Sequence, residues 1–157
     1  MNTVDAFTAE VIRSALVAIT GEMKTNLMRT AYHTIIYEAE DFTVGLFDGD
    51  GNTISIGLGL PMFIRGLSDA IKAKIALWGK ENIEPGDILL TNDSYTMGSH
   101  LNHMIFTLPI FNDGDLVAFS SSMAHWQDVG GQLGGGTRDI FSEGLQLPFV
   151  ESFRAGK

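Results

Sequence analysis

Two segments of the chain carry the apolar spacing of amphipathic helices. Apolar side chains recur every three or four positions over residues 7–27, which predicts a helix of about 26 residues and roughly 39 Å. Asn2 and Thr3 are candidate caps at its start. A helix of this length either lies across its own sheet or presents part of its apolar stripe to another chain, and the spacing leaves both open. A shorter helix is predicted over residues 63–78, ending near Gly79.

Short runs rich in β-branched and aromatic residues predict the strands of an antiparallel sheet. We expect two hairpins and one short strand between them, with strands at residues 42–47 and 53–56, at 87–91, and at 104–111 and 116–122. The clearest turn is Asn112-Asp113-Gly114-Asp115, which joins the strands of the second hairpin. The fold class predicted by these elements is α+β, with a long N-terminal helix and a second helix packed on a mainly antiparallel sheet built from hairpins.

The remaining apolar pattern defines the expected core and the extent of the domain. Phe106, Leu108 and Ile110 form a stripe along the second hairpin, and we expect this stripe and Trp126 to be core. A strand-like tail beyond residue 140 has no evident partner, which indicates a piece of a longer polypeptide. The sequence contains no internal repeat and no linker, so residues 1–157 are predicted to form a single domain.

Three of the four histidines lie in two short polar clusters. His100 and His103 belong to the polar loop 91–103, and His125 follows the second hairpin. Catalytic metal sites typically have three protein ligands and an open position, and three imidazoles meet that number. The hypothesis is therefore that His100, His103 and His125 bind one metal ion. Asp93 and Asp128 are candidates for a fourth ligand, for a group that orients an imidazole, or for a general base.

The register of the second hairpin decides whether His103 and His125 can share a ligand. With a two-residue turn at Asp113-Gly114, His103 faces Ala124, and His125 projects to the other side of the sheet. With a three-residue loop the two histidines become diagonal neighbours on one face, roughly 7–8 Å apart at Cα. The metal hypothesis therefore favours the three-residue loop, or irregular backbone at the strand ends.

Other interpretations of the polar residues remain open at this point. A buried histidine is usually only hydrogen-bonded, and a pair of histidines three apart also occurs by chance. His33, at the end of the first helix, is interpreted as an ordinary residue. Arg138 follows a glycine-rich run and is a candidate for binding a substrate carboxylate.

Composition and charge exclude several classes of protein. A net charge of −9 argues against a nucleic-acid partner, and the absence of a Lys/Arg cluster argues against an anionic membrane surface. Without cysteine there are no disulfides and no thiolate chemistry. The sequence has neither a signal peptide nor an apolar run long enough to span a membrane, so we expect a cytoplasmic protein.

The polar clusters also carry a resemblance to a known family. The stretches NDSYTMGSHL (92–101), AHWQDVGG (124–131) and SEGLQLP (142–148), together with EAEDFT (38–43) upstream, occur in the order typical of the hydantoinase B/oxoprolinase family. The chain resembles the N-terminal portion of that family from about residue 8 onward. Family members are several times longer, so the resemblance makes this chain the N-terminal part of a longer catalytic subunit.

The resemblance implies an activity, a partner and a ligand set. The family includes B subunits of ATP-dependent N-methylhydantoin amidohydrolases, 5-oxoprolinases and the alpha subunits of acetone-type carboxylases. These enzymes work with a partner subunit or domain of ATPase fold, similar to hydantoinase A, which uses ATP to phosphorylate the substrate. The carboxylase members hold a metal at the positions of His100, His103 and His125. Here His103 stands where the family has aspartate, and a set of three imidazoles favours zinc, manganese or iron over magnesium.

Together, the pattern and the resemblance predict a metal-dependent hydrolase of hydantoin- or oxoproline-like cyclic amides. The metal would polarise a carbonyl or activate water, with Asp128 or Asp93 as catalytic carboxylates and Arg138 on the small-molecule substrate. An oligomer that contains the ATPase subunit is expected, without nucleic acid or membrane. The alternatives are the alpha-type subunit of an ATP-dependent carboxylase of acetone or acetophenone, and a non-catalytic assembly module whose first helix docks a partner.

Overall fold

Six antiparallel strands in the order β2-β1-β5-β4-β3-β6 form the sheet around which the chain folds. The computed structural model describes residues 4–60, 63, 65–97, 99–133 and 136–153. The strands are β1 (Phe42–Asp48), β2 (Thr53–Leu58), β3 (Ile88–Thr91), β4 (His103–Asn112), β5 (Asp115–His125) and β6 (Val150–Phe153). The helices are α1 (Ala6–Thr30), α2 (Thr34–Tyr37), α3 (Gly66–Trp78), α4 (Ser94–Met97) and α5 (Ile140–Glu143), with a 3-10 turn at Lys80–Asn82. The predicted α+β class is confirmed.

The first helix begins after Asp5, whose carboxylate accepts hydrogen bonds from the backbone N–H groups of Phe7 and Thr8, both at 3.0 Å. The predicted caps Asn2 and Thr3 lie outside the described residues. The two halves of the helix differ in how their apolar side chains are covered, and contact of the stripe with another chain stays a prediction. The C-terminal half packs on β1 through Met23, Leu27 and Met28. The N-terminal half exposes its large apolar side chains, which are Phe7, Val11, Ile12, Val17 and Ile19.

The helix α3 covers the other face of the sheet and ends at Gly79, as predicted. Gly79 adopts a positive φ of 75°, a conformation in which glycine carries little steric cost. The main core lies between α3 and strands β1, β3, β4 and β5, and its buried side chains are Phe47, Leu67, Ala70, Ile71, Ile83, Leu89, Ile105, Phe119 and Met123. None of the described helices is long and apolar enough to cross a membrane.

The stripe expected to be core lies largely on the surface. Leu108, Ile110 and Trp126 are 43%, 36% and 43% exposed. Residues with even numbers in β4 point away from α3, and on that face α1 packs mainly on β2 and β1. The prediction of a core position is therefore wrong for Leu108, Ile110 and Trp126, because α3 covers the opposite side of β4. Phe106 is half-buried and stacks on the ring of Trp126. The tail strand also differs from expectation, since β6 pairs with β3.

The register of the second hairpin results from a combination of turn and bulge that differs from both predicted alternatives. Its turn has two residues, Asp113 and Gly114, both with positive φ, and Asn112 pairs with Asp115. The favoured three-residue loop is therefore wrong. A bulge then shifts the register, since Phe111 pairs with Leu116 and Ile110 with Ala118. Because of this extra residue, His103 and His125 are directly opposite each other and project to the same face.

A lysine is enclosed in the core between α3 and the sheet. The Lys74 side chain is fully buried, and its Nζ donates to the carbonyl oxygens of Leu89 (2.8 Å) and Ile105 (3.3 Å) and to the Thr107 hydroxyl (2.9 Å). Within the described part of the chain Lys74 forms no salt bridge. Burial without a counter-charge disfavours the ammonium form and lowers the pKa of Lys74 from 10.5 to about 7.

We expect this lysine to make folding stability depend on pH above neutrality. Below pH 7 the ammonium is charged in both states, and the full cost of burying it is present. Between the folded and the unfolded pKa only the unfolded chain holds the proton, so the free energy of unfolding rises with pH, by about 2 kcal/mol from pH 7 to pH 9. Urea denaturation of the parent and of Lys74→Met at both pH values measures this rise. An equal rise in Lys74→Met would contradict the assignment.

Candidate metal centre

Three adjacent strands bring an aspartate and two histidines to one end of the sheet. The order β1-β5-β4 places Asp41, immediately before β1, beside His125 at the end of β5 and His103 at the start of β4. The His125 N–H donates to the Asp41 carbonyl at 3.1 Å, and the Trp126 N–H donates to the Asn102 carbonyl at 2.8 Å. The second bond makes His103 and His125 a non-hydrogen-bonded pair, in which opposite side chains approach most closely. The sheet therefore places all three side chains in one row.

The loop between α4 and β4 adds the third imidazole. The ring of His100 lies 4.5 Å from that of His103 and 4.9 Å from that of His125, measured between centroids. The rings of His103 and His125 are 5.2 Å apart. The three histidines singled out in the sequence thus form one cluster. The fourth histidine, His33, caps α2 by accepting a hydrogen bond from the Ile35 N–H at 3.2 Å.

His103 is the most enclosed member of the histidine cluster. Its side chain is almost fully buried and packs against the ring of Phe63, with centroids 4.6 Å apart. Both ring nitrogens are paired, Nδ1 with the Ser99 hydroxyl at 2.5 Å and Nε2 with Asp41 Oδ1 at 3.1 Å. The orientation of this ring is therefore fixed from both sides.

Burial disfavours the protonated form of two of the three imidazoles. It lowers the pKa of His103 below 6.5, an effect that the hydrogen bond and charge of Asp41 partly oppose. Burial likewise lowers the pKa of His125, again against the opposing charge of Asp41. A neutral imidazole retains a nitrogen lone pair, which is the form that binds a metal ion.

The three imidazole rings lie close together, but their nitrogen atoms are not arranged around a common point. Among the described residues, no three His, Cys, Asp or Glu side chains form a ready set of metal ligands. The hydrogen bonds on both nitrogens of His103 account for part of this difference. In contrast, Nδ1 of His125 is buried and has no hydrogen-bond partner within the described chain. A buried nitrogen without a partner is costly, and a metal ion would satisfy it.

Two cavities open onto the histidine cluster, and His100 lines both. The first, of about 400 Å³, has His100 and His125 on its wall and is otherwise lined by Ile35, Asn102, Gln127, Gln132, Leu133, Thr137 and Glu143. The second, of about 430 Å³, is lined by Asp41, Leu60, Phe63, Met97, Ser99, His100 and His103. The histidine cluster is therefore accessible to a small molecule from each of the two cavities.

Neither of the two predicted catalytic aspartates hydrogen-bonds to a histidine of the cluster or lines its two cavities. Asp93 caps α4, since its carboxylate accepts from the Thr96 hydroxyl at 2.5 Å and the Tyr95 N–H at 3.4 Å. Asp128 accepts from the Gly130 N–H at 2.7 Å and lines an apolar cavity of about 290 Å³. That cavity is on the opposite face of the sheet, because Met104 on its wall alternates with His103 along β4.

Arg138, the predicted substrate ligand, is exposed. It directly follows Thr137, which lines the first cavity, so its backbone lies near the entrance. Part of the glycine run before it, Gly134 and Gly135, lies outside the described residues. The role of Arg138 stays a prediction, as do the roles of the two aspartates.

Two carboxylates that we did not single out as site residues lie close to the histidines. Asp41 contacts His103, and Glu143 lines the first cavity beside His100 and His125. Both fall within stretches already noted for their resemblance, residues 38–43 and 142–148. That resemblance was the one available signal, because Asp41 and His103 are 62 residues apart in the chain.

A known family model matches this chain over almost the entire length of the chain. The model of hydantoinase B/oxoprolinase covers residues 5–157. The chain belongs to this family. The caprolactamase subunit beta of Pseudomonas jessenii is 33% identical over 161 residues, which cover 100% of this chain and 28% of that subunit. The 5-oxoprolinase 1 of Arabidopsis thaliana is 31% identical over 93% of this chain and 12% of its own length.

Solved structures agree with the family assignment. The crystal structure of the ATP-dependent caprolactamase from Pseudomonas jessenii superposes with a TM-score of 0.89 at 32% identity, covering 99% of this chain and 28% of that one. An acetone carboxylase structure superposes with a TM-score of 0.81 at 20% identity over 90% of this chain and 19% of its own, a likeness of fold alone. The chain thus spans under a third of the length of these relatives, which are named as a caprolactamase that is ATP-dependent, a 5-oxoprolinase and an acetone carboxylase.

Proposed function

We propose that this hydantoinase B/oxoprolinase chain is the metal-binding part of an ATP-dependent hydrolase of cyclic amides. A partner subunit of ATPase fold would bind ATP and activate the substrate, and the ring would open at the histidine cluster. The naming of a relative as an ATP-dependent caprolactamase and of another as a 5-oxoprolinase supports the cyclic amide. The designation of the first as a subunit beta supports the partner. We further propose an oligomeric, cytoplasmic enzyme.

The observation that carries the proposal is the meeting of three imidazoles and one carboxylate at the end of the sheet. Asp41 Oδ1 and His103 Nε2 are 3.1 Å apart. Neighbouring ligands with metal bonds near 2.1 Å are separated by about 3.0–3.4 Å, so this pair has the spacing of two ligands of one ion. The unpaired, buried Nδ1 of His125 would supply a third donor. His100, which is exposed and lines both cavities, would supply the fourth.

The donor set also indicates the kind of metal. Three imidazoles and one carboxylate suit zinc, manganese or iron, and Asp41 contributes the negative charge that the sequence-predicted set of three histidines lacked. When bound, such an ion would polarise the amide carbonyl or activate a water molecule.

Residues around the ligands would hold them in place and exclude water. The Ser99 hydroxyl pairs with Nδ1 of His103 and so turns Nε2 towards Asp41, which is the role that a second hydrogen bond plays in most metal-binding histidines. Phe63 covers the same ring and shields it from solvent. Asp128 and Asp93 as further catalytic carboxylates and Arg138 as a substrate ligand remain proposals from the sequence.

Metal analysis and activity together test this function. The purified protein, loaded with zinc, manganese or iron and desalted, is expected to retain close to one equivalent of metal. Assembled with its ATPase partner, it is expected to open a hydantoin or lactam with turnover of ATP. Less than about 0.1 equivalent after loading would overturn the metal site. ATP turnover with ketones and bicarbonate but not with cyclic amides would instead identify a carboxylase, and full activity without metal would identify an assembly module.

A further inference from the structure

One carboxylate in the first cavity forms no hydrogen bond with any of the three histidines. Glu143 lines this cavity together with His100 and His125. Its Oε2 accepts a hydrogen bond from the Leu101 N–H at 3.0 Å, so the residue next to His100 positions the carboxylate. Since one oxygen suffices for that bond, the second is available to a molecule in the cavity.

The backbone that carries Glu143 is held firmly against the chain that follows His125. The Leu145 N–H donates to Val129 O at 2.7 Å, and the Gln132 N–H donates to Ser142 O at 2.9 Å. Gly131 allows this close approach, because a Cβ at that position would lie 2.2 Å from the carbonyl of Glu143. Residues 129–132 and 142–145 thus pack closely against each other, which gives the Glu143 carboxylate a fixed position relative to His125.

Other carboxylates near the centre are less suited to act on a molecule in the first cavity. Asp41 is engaged by His103 and lines the second cavity. Asp128 lines the apolar cavity on the opposite face of the sheet. Among the described residues that line the first cavity, Glu143 is the acidic side chain, and its neighbours Asn102, Gln127, Gln132 and Thr137 can hydrogen-bond an amide but do not exchange protons at neutral pH.

We propose that the cyclic amide binds in the first cavity and that Glu143 is the catalytic residue that moves the proton during hydrolysis. This inference rests on the proposed function. The oxygen of a water molecule forms a bond to the carbonyl carbon while the Glu143 carboxylate takes one of its protons. The carbon–nitrogen bond then breaks, its electron pair remains on nitrogen, and Glu143 returns the proton to that nitrogen. The phosphoryl group that the ATPase partner placed on the carbonyl oxygen leaves as inorganic phosphate when a second water molecule hydrolyses the acyl phosphate. Positioned carboxylates that act in this way contribute about 10²–10⁴ to the rate.

Two substitutions distinguish proton transfer by Glu143 from its hydrogen bond with the Leu101 N–H. Glu143→Gln keeps an oxygen that can accept from the Leu101 N–H but cannot take a proton. In the assembled enzyme it is expected to lower kcat at least about 100-fold while metal content and melting temperature stay near those of the parent. Glu143→Ala leaves space for a small carboxylate, and added formate is expected to restore kcat at least about tenfold. Glu84→Gln, an exposed glutamate in a turn remote from the cavity, is the matched control.

Each result supports or overturns the role of Glu143. Loss of kcat with retained metal and rescue by formate would support it. Activity of Glu143→Gln near that of the parent, with activity abolished in His125→Ala, would overturn it and leave the proposed function standing. Loss of activity that is accompanied by loss of metal or of folding, and that formate does not rescue, would show that Glu143 only fixes the loop between α4 and β4 through its hydrogen bond to Leu101. If the assembled parent enzyme opens no cyclic amide, the role of Glu143 and the proposed function fail together.

Discussion

Replacing His125 by alanine is expected to lower metal affinity and kcat/KM by more than about 100-fold. Partners that only orient a metal-binding histidine already cost 10- to 100-fold when removed, and a direct ligand costs more. His125 stands between Asp41 and His103 in the row across the sheet, so no neighbouring side chain on that strand can replace it. Because its Nδ1 is buried without a partner, its removal leaves no other hydrogen bond broken at that atom. We therefore expect the fold to be retained.

Metal content by mass spectrometry, circular dichroism and the rate of ring opening measure this effect. His33→Asn is the matched control, because it removes the remaining imidazole while asparagine can still cap α2. The control is expected to keep its metal and its activity. A His125→Ala protein that binds metal as tightly as the parent would contradict the site, as would equal losses in His33→Asn.

Replacing Gly57 by alanine is expected to lower the free energy of unfolding by about 3 kcal/mol, at the upper end for an overpacked core position. A Cβ at this position in β2 would lie 2.3 Å from the backbone oxygen of Thr20 and 2.9 Å from Cγ2 of Val44. A backbone oxygen inside a helix cannot move alone, so α1 would have to lift off the sheet. That movement would also break the buried contact between the hydroxyls of Thr20 and Ser55, which are 2.9 Å apart.

Gly21→Ala, in the helix α1 that packs on Gly57, is a control with the opposite expected effect on stability. A Cβ there meets nothing within 4 Å, and alanine in place of glycine inside a helix is expected to stabilise by about 0.5–1 kcal/mol. Chemical denaturation of both variants gives the two free energies. A Gly57→Ala protein as stable as the parent would show that α1 does not lie so close to β2.

Local chemistry was sufficient to predict most of the elements of the fold. The three- and four-residue spacing of apolar side chains gave both long helices, and Gly79 marked the end of the second. The Asp-Gly pair at 113–114 gave the position of the hairpin turn. The register could not be predicted, because it is set by a strand distant in sequence. β1 pairs with residues 118–124 of β5 independently of the turn, and the hairpin accommodates the difference with a bulge.

The candidate site was predictable to the extent that its residues lie in short polar clusters. His100, His103 and His125 are close in space, as the hypothesis required, and their binding of metal stays a prediction. Asp41 could not be placed beside them without the strand order. Asp128 is only a few residues from His125, but the chain carries it to the other face of the sheet. Proximity in sequence to His125 was therefore a misleading indication of the position of Asp128, because the strand ends at His125.

The two-residue turn of the second hairpin has a practical consequence for studying the protein. β4 has ten residues, so Asp113 and Gly114 lie about 30 Å from His103. The ladders of β5 with β1 and of β4 with β3 hold the base of this hairpin, and neither includes the turn. A fluorophore or an epitope inserted at this tip would therefore report on subunit association from a distance, without disturbing the chemistry at the other end.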